Sequence, residues 1–273
     1  MILRRSRAGA LLGGVAGAAV CWGWFEAGWV RFRTRELALR DLPAELAGLR
    51  LAHLSDFHLG PPSRGRRAAE EAVAWTASRE PDLVLVTGDL VSHPRGEPFL
   101  RALLARLPRC YAILGNHDVE SSRDPFSRNA GLHDLSPARL LVDESETIEL
   151  RGRRVQIAGV DPRTYRCGAR PERLVDADAD LRILLCHYPR ILDRLAPGAF
   201  HLVLAGHMHD GQITVPYVVG KLRLAHPGAP YWTGIYEGSA ATMHVSPGLG
   251  TTFVPFRFFA RPEATELVLQ RRK

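Results

Sequence analysis

The chain has 273 residues, 46% of them hydrophobic and 24% charged, with a formal net charge of +7. That length allows one large α/β domain or two small ones, and the composition excludes a disordered chain or a solenoid of short repeats. Only Lys221 and Lys273 are lysines among 36 basic residues, so the other 34 are arginines; they gather on no helical face, no zinc-finger or RNA-binding signature accompanies them, and no nucleic acid is expected as a partner.

Residues 1–35 form the first unit. Ala8 to Phe25 carries no charge, and apolar character resumes after Glu26 up to Val30. That length can span a bilayer. Trp22, Trp24 and Trp29 gather at one end, as aromatic rings do at a membrane interface. We therefore expect a membrane anchor, which would put the protein at the inner membrane of a bacterium. A cleaved export signal with Arg4 and Arg5 as a twin-arginine pair is a competing reading, as is a lipoprotein site at Cys21. Val20 is too large for the usual lipoprotein cleavage rule, and tryptophans stand where an export signal has small residues. Arg4, Arg5 and Arg7 flank one side and Arg31, Arg33 and Arg35 the other, so the side of the catalytic unit stays open. A segment that dips into one leaflet without crossing also fits.

The second unit covers 48–273. "LRLAHLSDFH" reads as a strand running into Asp56 and His58. Arg66 to Glu80 has helical spacing at Ala69, Val73 and Thr76. "PDLVLVTGDLV" is a continuous apolar strand, as expected inside a covered sheet, and it ends at Asp89. Phe99 to Leu107 is the next helix, and "CYAILGNHD" a third strand. Thr147 to Leu150 and Val155 to Val160 form a hairpin around Arg151 and Gly152. "LRILLCHYP" ends at His187, and "FHLVLAGHMHDGQ" at His207 and His209. Late strands fall at Ala241 to Val245 and Glu266 to Gln270. Cys110 and Cys186 sit in apolar strands and Cys21 in the apolar N-terminal run, a pattern of buried thiols rather than a disulfide framework. The order β-α-β-α-β followed mostly by strands predicts two sheets packed face to face with helices outside.

Five strands end in Asp, His or Asn, and the carboxyl ends of strands are where α/β sheets bind ligands. The set is Asp56, His58, Asp89, Asn116, His187, His207 and His209. Carboxylate, amide and imidazole donors suit divalent ions such as Mn²⁺, Fe²⁺ or Zn²⁺, and the absence of Cys speaks against a structural zinc site. Seven ligands are too many for one ion and suit two, with one carboxylate as the bridge; such a pair clamps an in-line displacement. Asp56 and His58 are two apart, so on a strand they share a face, as do His207 and His209.

The motifs "SDFH", "TGDLV", "LGNHD", "CHYP" and "AGHMHDGQ", in that order, resemble the calcineurin-like metallophosphoesterase superfamily. The tail "VSPGLGTTFVPFRFFARPEATELVL" is similar to that of a membrane-associated branch of YkuE- and YaeI-like phosphodiesterases. The resemblance implies an α/β fold, a four-layer αββα sandwich of two mixed sheets flanked by helices. It implies two divalent ions, with Mn²⁺ the expected choice: Asp56, His58 and His209 on one, Asn116, His187 and His207 on the other, and Asp89 bridging. His117 would serve the leaving oxygen without binding metal, and Asp118 would either hold His117 by a hydrogen bond or cap the next turn. Met208, Asp210, Arg190 and Pro247 depart from the branch pattern at the rim, where substrate would be read. His53, His93, His133, His201, His226 and His244 match no motif.

The reaction implied is two-metal hydrolysis of a phosphodiester or pyrophosphate. The branch includes UDP-2,3-diacylglucosamine pyrophosphatases of lipid A synthesis. A lipid-linked pyrophosphate would suit the apolar N-terminus, the aromatic residues Tyr231, Trp232 and Tyr236, and the arginine surplus, although that surplus is also what a GC-rich genome produces. A broad phosphodiesterase outside the cytoplasmic membrane is the rival enzyme, and a non-catalytic metal-binding scaffold the rival from another class. A monomer is expected.

Overall fold

The computed structural model describes residues 2–61, 63–119, 124–225 and 228–272, with side chains from residue 13 onward. His226, to which the sequence assigns no role, and the side chains of Arg4, Arg5 and Arg7 lie outside the described residues. The chain opens with α1 (Ile2–Glu26), β1 (Arg31–Leu39), β2 (Arg50–Leu54), α2 (Gly65–Arg79), β3 (Leu83–Thr87), α3 (Glu97–Leu104), β4 (Cys110–Ile113) and α4 (Asn116–Val119). It continues through β5 (Arg139–Leu140), β6 (Glu144–Leu150), β7 (Arg153–Val160), α5 (Pro162–Arg166), β8 (Leu181–Cys186) and β9 (Leu202–Ala205). The last elements are β10 (Thr214–Tyr217), β11 (Gly220–Arg223), β12 (Gly234–Glu237), β13 (Thr242–Val245) and β14 (Glu263–Arg271).

Two six-stranded sheets result, in the orders β1-β14-β2-β3-β4-β5 and β12-β13-β9-β8-β7-β6, while β10 and β11 form a separate two-stranded pair. In the first, β2, β3, β4 and β5 run parallel and β14 lies antiparallel to β2. In the second, β7, β8, β9 and β13 run parallel between antiparallel edges. The period of two along each strand sorts the core. Leu51, Leu85 and Ile113 meet Ile157, Ile183 and Leu204 between the sheets. The alternate residues Ala52, Val84, Val86 and Ala112 face α2 and α3. β3 is buried along its whole length, which is why it reads as an unbroken apolar run.

The expected sandwich is borne out, with one difference in thickness. The outer face of the second sheet is covered by α5 and by 3₁₀ turns at Pro171–Leu174 and Pro189–Arg194, not by long helices. α2 buries Ala68, Ala69, Ala72, Val73 and Thr76 on one stripe and ends at Glu80, whose backbone is left-handed, just before Pro81.

From the sequence Arg31, Arg33 and Arg35 are expected to be charges flanking the N-terminal segment. The structure has them on β1, which pairs in parallel with β14 from Arg31↔Glu263 to Leu39↔Arg271. Glu263 receives Arg33 at 3.0 Å, with Arg31 and Arg35 at 3.9 Å. Leu37 and Leu39 enter the core between the sheets. This nine-residue edge strand carries arginines along its first half, and charge on an edge resists pairing with other chains. Among the described residues, no helix is long and apolar enough to cross a membrane.

Candidate metal centre

Loops leaving the carboxyl ends of β2, β3, β4, β8 and β9 converge on one place. The first brings Asp56 and His58, the second Asp89, the third Asn116 and His117 at the start of α4, the fourth His187, and the last His207 and His209. Asp56, His58, Asp89 and His209 each offer a ligand atom within 4.8 Å of the others, and so do Asp89, His187 and His207. Asn116 Oδ1 lies 3.2 Å from His187 Nε2. Asp89 belongs to both groups: its Oδ2 is 3.4 Å from His58 Nε2 and 3.2 Å from His187 Nε2. All seven residues singled out in the sequence therefore meet.

They meet by a route that alternation did not foresee. Asp56, His58, His207 and His209 lie past the ends of their strands. Asp56, His58, Asp89, His207 and His209 all adopt left-handed backbone, with φ from 46 to 73°. Each such non-glycine residue costs about 1–3 kcal/mol and persists only where its surroundings hold it. Two glycines make room. A Cβ on Gly115 would run into the Asp89 carboxylate, and one on Gly206 into Ser55 and Asp56.

Partners behind the cluster aim the rings. His187 Nδ1 donates to the Thr87 carbonyl at 2.8 Å, which turns Nε2 toward Asp89. His58 Nδ1 lies 2.8 Å from Ser92 Oγ, and its Nε2 is 3.1 Å from His209 Nε2. The His207 N–H donates to Asp56 Oδ1 at 3.0 Å. His53 and His244, without a motif, are buried with their Nδ1 atoms 2.8 Å apart.

Burial dominates the charge states. It pushes Asp56 up to about 7, with His187 opposing and Asp89 adding to the rise. It also drives His58 and His209 well below the usual histidine range, so both are neutral, the form that ligates metal. Burial disfavours charge on Asp89 too, but His187 and His117 outweigh it and hold Asp89 well below the usual carboxylate range. His187 rises to about 9 because Asp89 and Asp56 overcome its desolvation. Buried oxygens and imidazole nitrogens, crowded together with no thiolate, are the donor set of a hard-to-borderline dication, which would take the place of protons there.

His117 stands beside this set and in neither group. Its N–H donates to Asp89 Oδ1 at 2.8 Å, Ser127 Oγ lies 3.1 Å from its Nδ1, and its ring meets His58 edge-on at 4.7 Å between centroids. Asp118 spends its carboxylate elsewhere than on the His117 ring. It accepts from the backbone N–H groups of Leu90, Val91 and Gly115 and so ties the Asp89 loop to the Asn116 loop. Burial and the Asp89 charge raise Asp118 to about 7 against those three bonds.

Arg257 escaped the sequence reading. It is fully buried, donates to the carbonyls of Gly250, Pro247 and Ala260, and puts Nη2 3.2 Å from His209 Nδ1. Burial lowers its pKa to about 10, so it stays a cation. The one available signal was a charge inside the aromatic run Phe256 to Phe259. Asp210, a departure from the branch pattern, receives Lys221 and Arg223 of β11 at 3.0 Å. A cavity of about 300 Å³ opens against His207 and Met208, lined by Tyr165, Tyr188, Arg190 and Tyr231.

Comparison with known proteins agrees with this architecture. The family described as "Calcineurin-like phosphoesterase" matches residues 49–211. The chain is 33% identical over 86% of its length to "Transmembrane protein with metallophosphoesterase domain" of Danio rerio, covering 56% of that protein. It is 27% identical to "Phosphodiesterase YaeI" of Escherichia coli, covering 90% of this chain and 89% of that one. The solved structure of Haemophilus influenzae NAD nucleotidase (NadN) overlays with a TM-score of 0.52 at 16% identity, over 76% of this chain and 47% of that one, a likeness of fold alone. This chain belongs to the calcineurin-like phosphoesterase family of metal-dependent hydrolases, and its two buried Asp/His groups are consistent with a binuclear centre. It spans about half the length of the first vertebrate relatives it matches.

Proposed function

We propose that the protein hydrolyses a phosphodiester or pyrophosphate bond at a two-metal centre, and that its substrate is lipid-linked, with UDP-2,3-diacylglucosamine the specific candidate. The observation that carries the reaction class is Asp89, the one carboxylate shared by both ligand groups. Asp56, His58 and His209 would hold one ion, and Asn116, His187 and His207 the other, with Asp89 common to both. Mn²⁺ is the ion we assign, while Fe²⁺ and Zn²⁺ suit the same donors. Two such ions supply polarisation of a phosphoryl oxygen and a more acidic water. His117, beside the ions and held at Nδ1 by Ser127, gives a proton to the leaving oxygen. Asp118 keeps the two ligand loops in register through backbone bonds.

Support for the substrate comes from the rim. The cavity beside His207 offers Tyr188 and Tyr231 to a flat ring, with Tyr165 stacked behind Tyr188, and the Arg190 guanidinium to a phosphate. The exposed, largely apolar side chains of α1 from Gly13 to Trp22 would suit a chain that lies on a membrane, where a lipid-bearing substrate is found. A broad phosphodiesterase is the second reading, favoured by the similarity to YaeI. A panel on the 273-residue chain with Mn²⁺ separates them. Faster cleavage of UDP-2,3-diacylglucosamine than of nucleotide diesters is expected. A preference for soluble diesters would favour the second reading, and no turnover of any ester by the metal-loaded protein would overturn both.

A further inference from the structure

Among the described residues β10 and β11 form a two-stranded hairpin with no third strand, joined to the 253–259 loop by an isolated bridge from Ile213 to Phe258. Such a pair is marginal in water by itself. This one nevertheless shows its apolar side chains to solvent. Val218 and Val219 at the turn are 101% and 85% exposed, and Val215, Tyr217, Leu222 and Leu224 are exposed along the strands. The pairing Val215↔Leu222 and Tyr217↔Gly220 puts Val215, Tyr217 and Leu222 on one face. Lys221 and Arg223 occupy the other face, where both bind Asp210, next to His209. The hairpin is thus cationic toward the metal centre and apolar away from it.

This apolar surface does not end at the hairpin. Thr214 N–H donates to the Phe258 carbonyl at 2.9 Å, and Lys221 Nζ to that of Phe259. Phe253, Val254 and Phe259 on that loop are exposed. The Arg257 N–H donates to the Gly23 carbonyl at 3.0 Å, and the Trp24 ring lies 6.4 Å from Phe256. Hairpin, loop and the end of α1 are therefore continuous. Cations sit over the rings at this end: the Arg64 guanidinium is 4.8 Å from the Trp24 centroid and Arg261 is 3.5 Å from that of Trp29.

We propose that the β10–β11 hairpin, the 253–259 loop and the end of α1 are one surface that rests on an anionic phospholipid bilayer, with the hairpin turn inserted among the lipids. The shape selects the partner. The apolar groups stand on a protruding turn and a protruding helix, not in a groove, and a bilayer can surround both. The chemistry agrees, because Trp rings beside arginines match the headgroup layer and cations match its negative charge. Since Asp210 joins the hairpin to the His209 loop, the metal centre would face phosphoesters at the height of the headgroups. The inference rests on the membrane-associated reading above and adds a second point of contact to α1.

The test uses the 273-residue chain with Cys21→Ser and Cys167→Ser, which removes its two exposed thiols, Cys21 among them against the expected burial, and leaves the buried Cys110 and Cys186. A single cysteine replaces Val218, or as a control Glu149, exposed on β6 toward the far end of the sheet. Each carries an environment-sensitive fluorophore and meets phosphatidylglycerol–phosphatidylethanolamine vesicles containing a spin-labelled lipid. Quenching at 218 and none at 149 is expected. A chain that binds vesicles with position 218 still in water overturns the hairpin contact alone, and a chain that does not bind overturns the membrane reading with it. A label shielded without lipid quenching would mean that a protein, such as a second copy, covers the turn. In parallel, Val218→Ser with Val219→Ser should slow hydrolysis of a vesicle-embedded phosphoester on the order of tenfold per valine removed from lipid. Turnover of bis-p-nitrophenyl phosphate in solution should be unchanged, and equal losses on both substrates would contradict the proposal.

Discussion

His117→Gln separates proton transfer from metal binding. The backbone N–H of residue 117, which donates to Asp89, survives the change, and glutamine fills much of the buried space. The metal cluster should therefore stay intact, because His117 belongs to neither ligand group. What disappears is the proton donor. General acid catalysis is worth on the order of 10²–10⁴ in rate, or about 2.7–5.4 kcal/mol. The full loss should appear on a diester with a basic alkoxide leaving group. A p-nitrophenolate leaves as a stable anion, so its ester should lose much less. The assay compares an alkyl and a nitrophenyl diester, with bound metal measured on the same sample. Equal losses on the two esters, or loss of an ion, would refute the general-acid assignment.

Two further outcomes test the frame around the site. A chain beginning at Trp22 keeps β1 and the Glu26 carboxylate that accepts from the Ala260 N–H, so it should fold and turn over soluble diesters. One beginning at Leu37 loses most of β1 and should melt at lower temperature; equal melting of the two would show that β1 adds nothing. Glu266 gives a pH signature. Burial works to raise its carboxyl, but bonds from Arg79, Arg50 and Thr34 prevail and hold it below the ordinary 4.5. A group lowered on folding adds stability that is present above its unfolded value and lost as pH falls through the folded one. The melting temperatures of wild type and Glu266→Gln should therefore converge in acid, and a gap that does not narrow would count against this ion cluster.

The ligand set was legible because each member interrupts an apolar run at a strand's carboxyl end, as Asp89 does after Leu83 to Thr87. How Asp56 and His58 come to face one point was not. That depends on left-handed backbone, which Asp and His adopt only because neighbouring loops hold them. β1 was hidden for a different reason. Only Leu37 and Leu39 are buried on it, and its arginines look like flanking charges until Glu263, 230 positions from Arg33, is brought beside them. Arg257 has no periodic signal at all, since carbonyls of an irregular loop satisfy it. The β10–β11 hairpin reads as ordinary apolar sequence, and only its exposure sets it apart.

The central claim is that Asp89 bridges two ions, and bound Mn²⁺ measured together with bis-p-nitrophenyl phosphate turnover in wild type and Asp89→Asn tests it most directly. Asparagine keeps an oxygen for the His117 N–H but removes the charge between His58 and His187. Two unit charges about 4 Å apart at an effective dielectric near 20 attract by about 4 kcal/mol, and a dication doubles that, so affinity at each ion should fall by more than about 10³. The account predicts two ions per wild-type chain, loss of both in Asp89→Asn with turnover falling alongside, and loss of only one in His209→Gln. An Asp89→Asn protein with wild-type metal content and wild-type turnover would contradict it.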